Sequence, residues 1–216
     1  RTALFNYLYA RQCGGTFVLR VEDTDRKRST PEATRAILDG MRFLGLDWDE
    51  GPEVGGDYGP YFQSERDGLH RELVRQLLSS GWAYHCFKTS EELARLREQH
   101  RDAKSFTAAV RVELDSSEVS SRLEAGEKAT VRFRVPDGET VIDDMVRGEV
   151  RVSNSDIEDF VIARADGSAV YNLAVVGDDN GRGITHVMRG EDQLSNPAKQ
   201  LLLFEPPGLR VPRSPP

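Results

Sequence analysis

The stretch FVLRVEDTDRKRS, residues Phe17–Ser29, runs from apolar residues into acid and then into base. Glu22, Asp23 and Asp25 fall within four residues, and Arg26, Lys27 and Arg28 follow at once. The segment Thr16–Glu22 reads as a buried strand. Upstream, Leu4, Tyr7 and Leu8 keep helical spacing, and Gly14 and Gly15 supply a stop. Downstream, Ser29, Thr30, Pro31 and Glu32 form a helix start: cap candidates, then proline, then an acid near the positive end of the dipole. Ile37, Leu38, Met41 and Leu44 give that helix an apolar stripe, and Gly45 ends it. Helix, strand, helix predicts a parallel α/β layer. In such layers ligands bind beyond the carboxyl ends of the strands, which is where Glu22 and Asp23 fall.

Outward from this unit, residues 47–63 (DWDEGPEVGGDYGPYFQ) are rich in glycine and proline and read as a long functional loop. Ser64 with Asp67 is a cap candidate for a helix that carries Leu69, Leu73 and Leu77 and stops at Gly81. After Trp82 the texture changes. AYHCFK is a short strand, and Thr89 with Glu92 forms a capping box for a charged helix near Ser90–Arg101. Short strands follow in ATVRFRVPDG, GETVIDD, RGEVRVSN and DFVIARADG, with turns at Pro136-Asp137-Gly138 and Asp166-Gly167. From Val170 the chain is apolar again: VYNLAVV, a polar loop GDDNGRG, a strand ITHVMRGED, and a helix from Pro197. The expected organisation is a layer (1–82), an inserted α+β unit of low helix content (83–165), and a return to the layer (166–216).

The bulk numbers exclude several classes. The chain has 216 residues, 38% hydrophobic, with formal net charge −7. That balance argues against unspecific wrapping of nucleic acid, though not against a local basic strip. Two cysteines do not make a disulfide framework, so a reducing, cytoplasmic location is expected. No apolar run approaches the roughly 20 residues of a membrane span.

From the residues alone the acid cluster has three readings: a solvated loop with capping acids, a Mg²⁺ site, or an inward carboxylate for a substrate cation. Arg189, after the strand ending at Met188, is either one half of a structural ion pair or a fork for a carboxylate ligand. Tyr171 is either core with a satisfied hydroxyl or a ligand contact. The histidines His70, His85, His100 and His186 are scattered and suggest no metal pair. No P-loop and no Ser/His/Asp set is assignable.

Four longer stretches in order carry a resemblance: GGTFVLRVEDTDRKRS (14–29), LGLDWDEGPEVGGDYGPYFQSER (44–66), GWAYHCF (81–87) and GITHVMRGEDQLSNPAKQLLL (183–203). Together the chain resembles the bacterial-type glutamyl-tRNA synthetases, class I aminoacyl-tRNA synthetases, over essentially its whole length, least around residues 95–130. The resemblance implies a Rossmann-type α/β catalytic domain split by a smaller α+β insert that grips the tRNA acceptor end. It implies ATP-dependent activation of L-glutamate and its transfer to the 3′ end of tRNA(Glu) in translation. By position, Glu22, Tyr171, Val175 and Arg189 are similar to glutamate contacts, with Glu22 on the amino group and Arg189 on the side-chain carboxylate. Asp192 falls where an acid contacts ATP, and Asp25 and Arg28 where the tRNA end approaches. On this reading the acid side of EDTDRKR meets an ammonium group and the basic side meets phosphates.

Departures from that family are also legible. Neither an HIGH-type nor a KMSKS-type motif is present, so a fragment of a longer enzyme, inactive by itself, is expected and its catalytic residues are left unassigned. Relatives often carry histidine where this chain has Asn180 and Gln193. Many relatives hold zinc in the insert; here only Cys86 stands near that place, so zinc is not expected and no metal ligands are assigned. Mg²⁺ is expected only with ATP, and a monomer without membrane attachment is expected. Three alternatives compete: the glutamyl-queuosine tRNA-modifying paralogue, a Mg²⁺-dependent phosphotransfer enzyme, and a non-catalytic tRNA-binding module. The extended VEDTDRKRS and EGPEVGGDYGPYFQSER stretches fit the ligase better than the paralogue.

Overall fold

A computed structural model describes residues 1–24, 29–145, 147–188, 195–206, 208–209 and 211–212. The opening unit has the expected order. Helix α1 (Thr2–Gln12) precedes the Phe17–Val21 segment, and α2 (Pro31–Phe43) follows it. Thr30 caps α2, its hydroxyl accepting from Ala33 N at 3.2 Å, with proline in the first turn. The helices are rotated from the expected stripes. Ala3, Tyr7 and Ala10 face the cluster of Phe17, Leu38, Met41, Leu46 and Trp48, whereas Leu4, Leu8, Ile37 and Leu44 are exposed. Two alanines allow close approach of α1, which larger residues on that face would prevent.

The expected strand Thr16–Glu22 is a broken parallel ladder rather than a continuous strand. Its parallel bridges are Val18 with Glu50 and Val21 with Phe62. Leu19 N donates to Glu50 O and Val21 N to Tyr61 O, at 2.9 and 3.0 Å. Its partner is the long loop, which pairs at two places and leaves the sheet between them, so neither pairing lengthens into a strand.

A short 3-10 turn (Gln63–Arg66) leads into α3 (Asp67–Ser79). The expected Ser64–Asp67 cap is absent: α3 has no side-chain cap. Ser64 instead donates its N–H and hydroxyl to Asp23, at 2.8 and 2.6 Å. A long-range partner thus displaces the local one.

The middle of the chain holds β1 (Ala83–Cys86), β2 (Thr130–Phe133) and β5 (Val161–Ala163) in one antiparallel sheet of order β1-β2-β5. The hairpin of β3 (Glu139–Asp144) and β4 (Gly148–Ser153) forms a second sheet. Helix α4 (Ser90–Gln99) has the expected Thr89–Glu92 capping box. The expected low helix content is corrected by α5 (Ala103–Val110) and α6 (Ser116–Glu124). Asp102 and Asp115 cap them, accepting from Ser105 N and Glu118 N at 2.8 Å each.

Helix α7 (Tyr171–Gly181) overturns the expected loop GDDNGRG. Within the helix Gly181 serves packing, and Gly183 turns the chain beyond its end at φ 61°. A Cβ on Gly177 would lie 3.4 Å from His70 and Leu73, and one on Gly181 would lie 2.5 Å from Arg66 Nη2. The expected strand ITHVMRGED shows one bridge residue, His186, among its described residues, and the chain continues to α8 (Ser195–Phe204). One apolar cluster joins α3, β1, β2, β5, α7 and α8 through Leu73, Leu77, Phe133, Ile162, Leu173 and Leu203. Tyr84, Cys86, Phe106 and Val110 form a separate cluster. Among the described residues no helix is long and apolar enough to cross a membrane.

Candidate functional site

Extended backbone alternates its side chains. Phe17 and Val21 are buried toward the core, each 8% exposed. Arg20 and Glu22, two residues apart, share the other face. Arg20 Nη2 donates to Glu22 Oε1 at 2.8 Å, and Nη1 donates to Asp179 Oδ1 at 2.6 Å. Its Nε lies 3.8 Å from Asp178 Oδ2. Burial opposes the charge on Arg20; Asp179 and Glu22 outweigh it and hold the guanidinium above its ordinary value.

Asp178 is the hub behind this pair and is fully buried. It accepts from Arg66 Nε at 2.6 Å and Gln63 Nε2 at 3.0 Å. His70 Nε2 lies 3.1 Å away and Arg182 Nη1 3.3 Å away. Burial by itself would raise its carboxyl. The bonds from His70 and Gln63, with the charges of Arg182 and Arg20, win and hold it at about 2. Burial pushes the Arg182 guanidinium down, against the pull of Asp178. The two arginines reach onward to the loop: Arg66 Nη1 donates to Gly59 O at 3.4 Å, and Arg182 Nη2 to Pro60 O at 2.5 Å. Within the loop, Glu50 accepts from Tyr58 N at 2.8 Å and Tyr61 Oη at 2.5 Å. Burial and this carboxylate raise the Tyr61 hydroxyl above its ordinary value. The segment, the loop, α3 and α7 are thereby fixed to one another.

The sequence-assigned residues fall as follows. Glu22 ends the segment with its side chain 38% exposed. Tyr171 opens α7 and is 38% exposed. Val175, one turn later, is 1% exposed, yet lies outside the apolar cluster that takes Leu173, Ala174 and Val176. Glu22 connects through Arg20 to Asp179 on this same helix, about 12 Å along the axis from Tyr171. Asp25, Arg28, Arg189 and Asp192 lie outside the described residues. Arg20, Gln63, Arg66, His70, Asp178, Asp179 and Arg182 escaped the sequence reading. The available signals were an arginine inside an apolar segment and two adjacent acids following VYNLAVV.

Both Glu22 and Asp23 have side-chain partners in the structure. Glu22 accepts from Arg20, and Asp23 accepts from Ser64. No group of three or more His, Cys, Asp or Glu placed to hold a metal occurs among the described residues. Glu22 is a partly open carboxylate, backed by a mostly buried guanidinium, at the end of a parallel-paired segment.

The structure is a mixed α/β unit with its candidate site at the end of a parallel-paired segment. Residues 1–214 match the family of tRNA synthetases class I (E and Q), catalytic domain, and the chain belongs to that family. It is 47% identical over 215 residues to a glutamate–tRNA ligase of Syntrophomonas wolfei, covering 98% of this chain and 43% of that protein. It is also 47% identical over 219 residues to a glutamate–tRNA ligase of Cellvibrio japonicus, covering 97% of this chain and 42% of the other. The crystal structure of glutamate-tRNA synthetase from Elizabethkingia anophelis matches with a TM-score of 0.92 at 34% identity, over 99% of this chain and 45% of that one. The chain therefore spans less than half the length of these relatives.

Proposed function

We propose that this chain is the catalytic core of a glutamate–tRNA ligase. The observation that carries the reading is the match to enzymes of that name over 98% of the chain. In the reaction the glutamate α-carboxylate attacks the α-phosphate of ATP and pyrophosphate leaves. A ribose hydroxyl at the tRNA 3′ end then attacks the acyl carbon of the adenylate, and AMP leaves. Glu22 takes the α-ammonium group, a role supported by its exposure beyond the segment end. Tyr171 lends a hydroxyl, and Val175 lines the site one turn on. Arg189 forks the side-chain carboxylate, Asp192 meets ATP, and Asp25 and Arg28 meet the tRNA end. Mg²⁺ enters with the nucleotide. Residues 83–165 form the acceptor-binding insert between 1–82 and 166–216; the cluster around Phe106 lies wholly inside it, while β1, β2 and β5 share a core with α3, α7 and α8. The enzyme acts as a cytoplasmic monomer.

The test is tRNA charging by the intact enzyme that contains this chain. A hydrogen bond to a charged group contributes roughly 1.5–3 kcal/mol, or about ten- to a hundredfold in kcat/KM. Arg189→Leu should lower kcat/KM for glutamate by that factor and affect glutamine much less. Glu22→Gln should lower both alike, because both amino acids present the same ammonium group. Equal losses for the two amino acids in Arg189→Leu would reduce Arg189 to a structural ion pair.

A further inference from the structure

Glu22 is tied through its own segment to helix α7. Its Oε1 accepts from Arg20 at 2.8 Å, and Arg20 is itself anchored at 2.6 Å to Asp179 on α7. The Arg20 side chain is 17% exposed and that of Asp179 7%, against 38% for Glu22. The partly open acid thus rests on a mostly buried cation, and that cation on a buried acid. The three acids Glu22, Asp178 and Asp179 face the three cations Arg20, Arg66 and Arg182. Arg66 and Arg182 both close on Asp178, which leaves Arg20 as the cation that joins the buried group to Glu22. Its planar fork addresses two carboxylates at fixed angles, which an ammonium on a flexible stem does not do.

We propose that Arg20 is the positioning residue of the amino-group site: by bridging Asp179 to Glu22 it holds the Glu22 carboxylate where the substrate ammonium docks. The inference rests on the assignment of Glu22 to that ammonium. In that role Arg20 acts through Glu22 alone and contributes nothing to telling glutamate from glutamine. Its loss should therefore raise KM for both amino acids alike and leave KM for ATP unchanged. About tenfold is the scale for removing an orienting partner behind a binding group.

The experiment is a double-mutant cycle in the intact enzyme, reading KM and kcat for glutamate and KM for ATP. The variants are Arg20→Gln, Glu22→Gln and the pair. Arg20→Gln alone is expected to raise glutamate KM about tenfold, with kcat and ATP KM within about twofold of the parent. In the Glu22→Gln background the same change should do almost nothing, because the group it positions is gone. Arg20→Lys, which keeps the charge and loses the fork, should fall between. Since Arg20→Gln leaves Asp179 buried beside a lost partner, Arg20→Gln/Asp179→Asn supplies a second route that removes both charges; it should show the same rise in KM. A large effect of Glu22→Gln with no effect of Arg20→Gln, or additive effects in the cycle, would overturn the positioning role and leave the Glu22 assignment standing. A silent Glu22→Gln would overturn both.

Discussion

Asp178 Oδ1 accepts the Arg66 Nε–H at 2.6 Å across 112 residues of chain, with Arg66 4% exposed and Asp178 completely buried. Arg182, at the C-terminal cap of the helix that carries Asp178, lies 3.3 Å from the same oxygen. The pair is therefore an electrostatic joint between the 3-10 turn that leads into α3 and helix α7, and the two arginines also hold the loop carbonyls of Gly59 and Pro60.

Asp178→Asn should be strongly destabilising. It keeps the shape and removes the charge that compensates two buried guanidinium groups. Breaking a buried pair by removing one partner costs about 3–5 kcal/mol. Urea unfolding followed by circular dichroism gives the number; a loss below about 1 kcal/mol would mean that water already solvates the arginines.

Acid should loosen the same joint. The Asp178 carboxyl is held at about 2 in the fold, below an ordinary aspartate value of about 3.9. A depressed folded value adds stability above the unfolded value, and that stability is lost as pH falls through the folded one. The contribution is about 3 kcal/mol, present above roughly pH 4 and vanishing toward pH 2. Unfolding free energy measured between pH 6 and pH 2.5 should fall more steeply in the parent than in Asp178→Asn; parallel curves would contradict the assignment.

Gly177 and Gly181 should respond oppositely to alanine. Helix propensity favours alanine over glycine by up to about 1 kcal/mol in a helix interior. At Gly177 the new methyl meets ordinary contacts at 3.4 Å, so Gly177→Ala should be neutral or stabilising. At Gly181 it would stand 2.5 Å from Arg66 Nη2, which the Asp178 joint prevents from moving freely. Gly181→Ala should lower Tm, and a rise in Tm would show that Arg66 yields.

Cys86 should behave as a packing residue. It is 4% exposed and sits with Tyr84, Phe106 and Val110. Cys86→Ser should cost about 1–3 kcal/mol if its hydroxyl finds no partner, and protein purified without chelators should contain no stoichiometric zinc. One zinc per chain by elemental analysis would reverse this and make Cys86 a ligand.

Local chemistry determined much of the architecture at the level of sequence. Thr30-Pro31, the Thr89–Glu92 box and Gly45 mark helix ends by interactions within one turn, and those marks stand in the structure. Asp102 and Asp115 carry the same kind of signal for α5 and α6, three residues ahead of Ser105 and Glu118. The exposed carboxylate at the end of an apolar segment was legible for the same reason, since composition changes abruptly at Glu22. Tertiary structure decided what depends on partners far along the chain. Ser64 turned from the expected local cap to Asp23, 41 residues away. GDDNGRG is helix as far as Gly181 because its acids are compensated by Arg20, Arg66 and Arg182 and Gly181 leaves room for Arg66. In isolation two adjacent acids flanked by glycine read as a loop, because glycine costs helix stability and a buried carboxylate is costly unless paired. Only the folded chain brings the pairing cations to those acids.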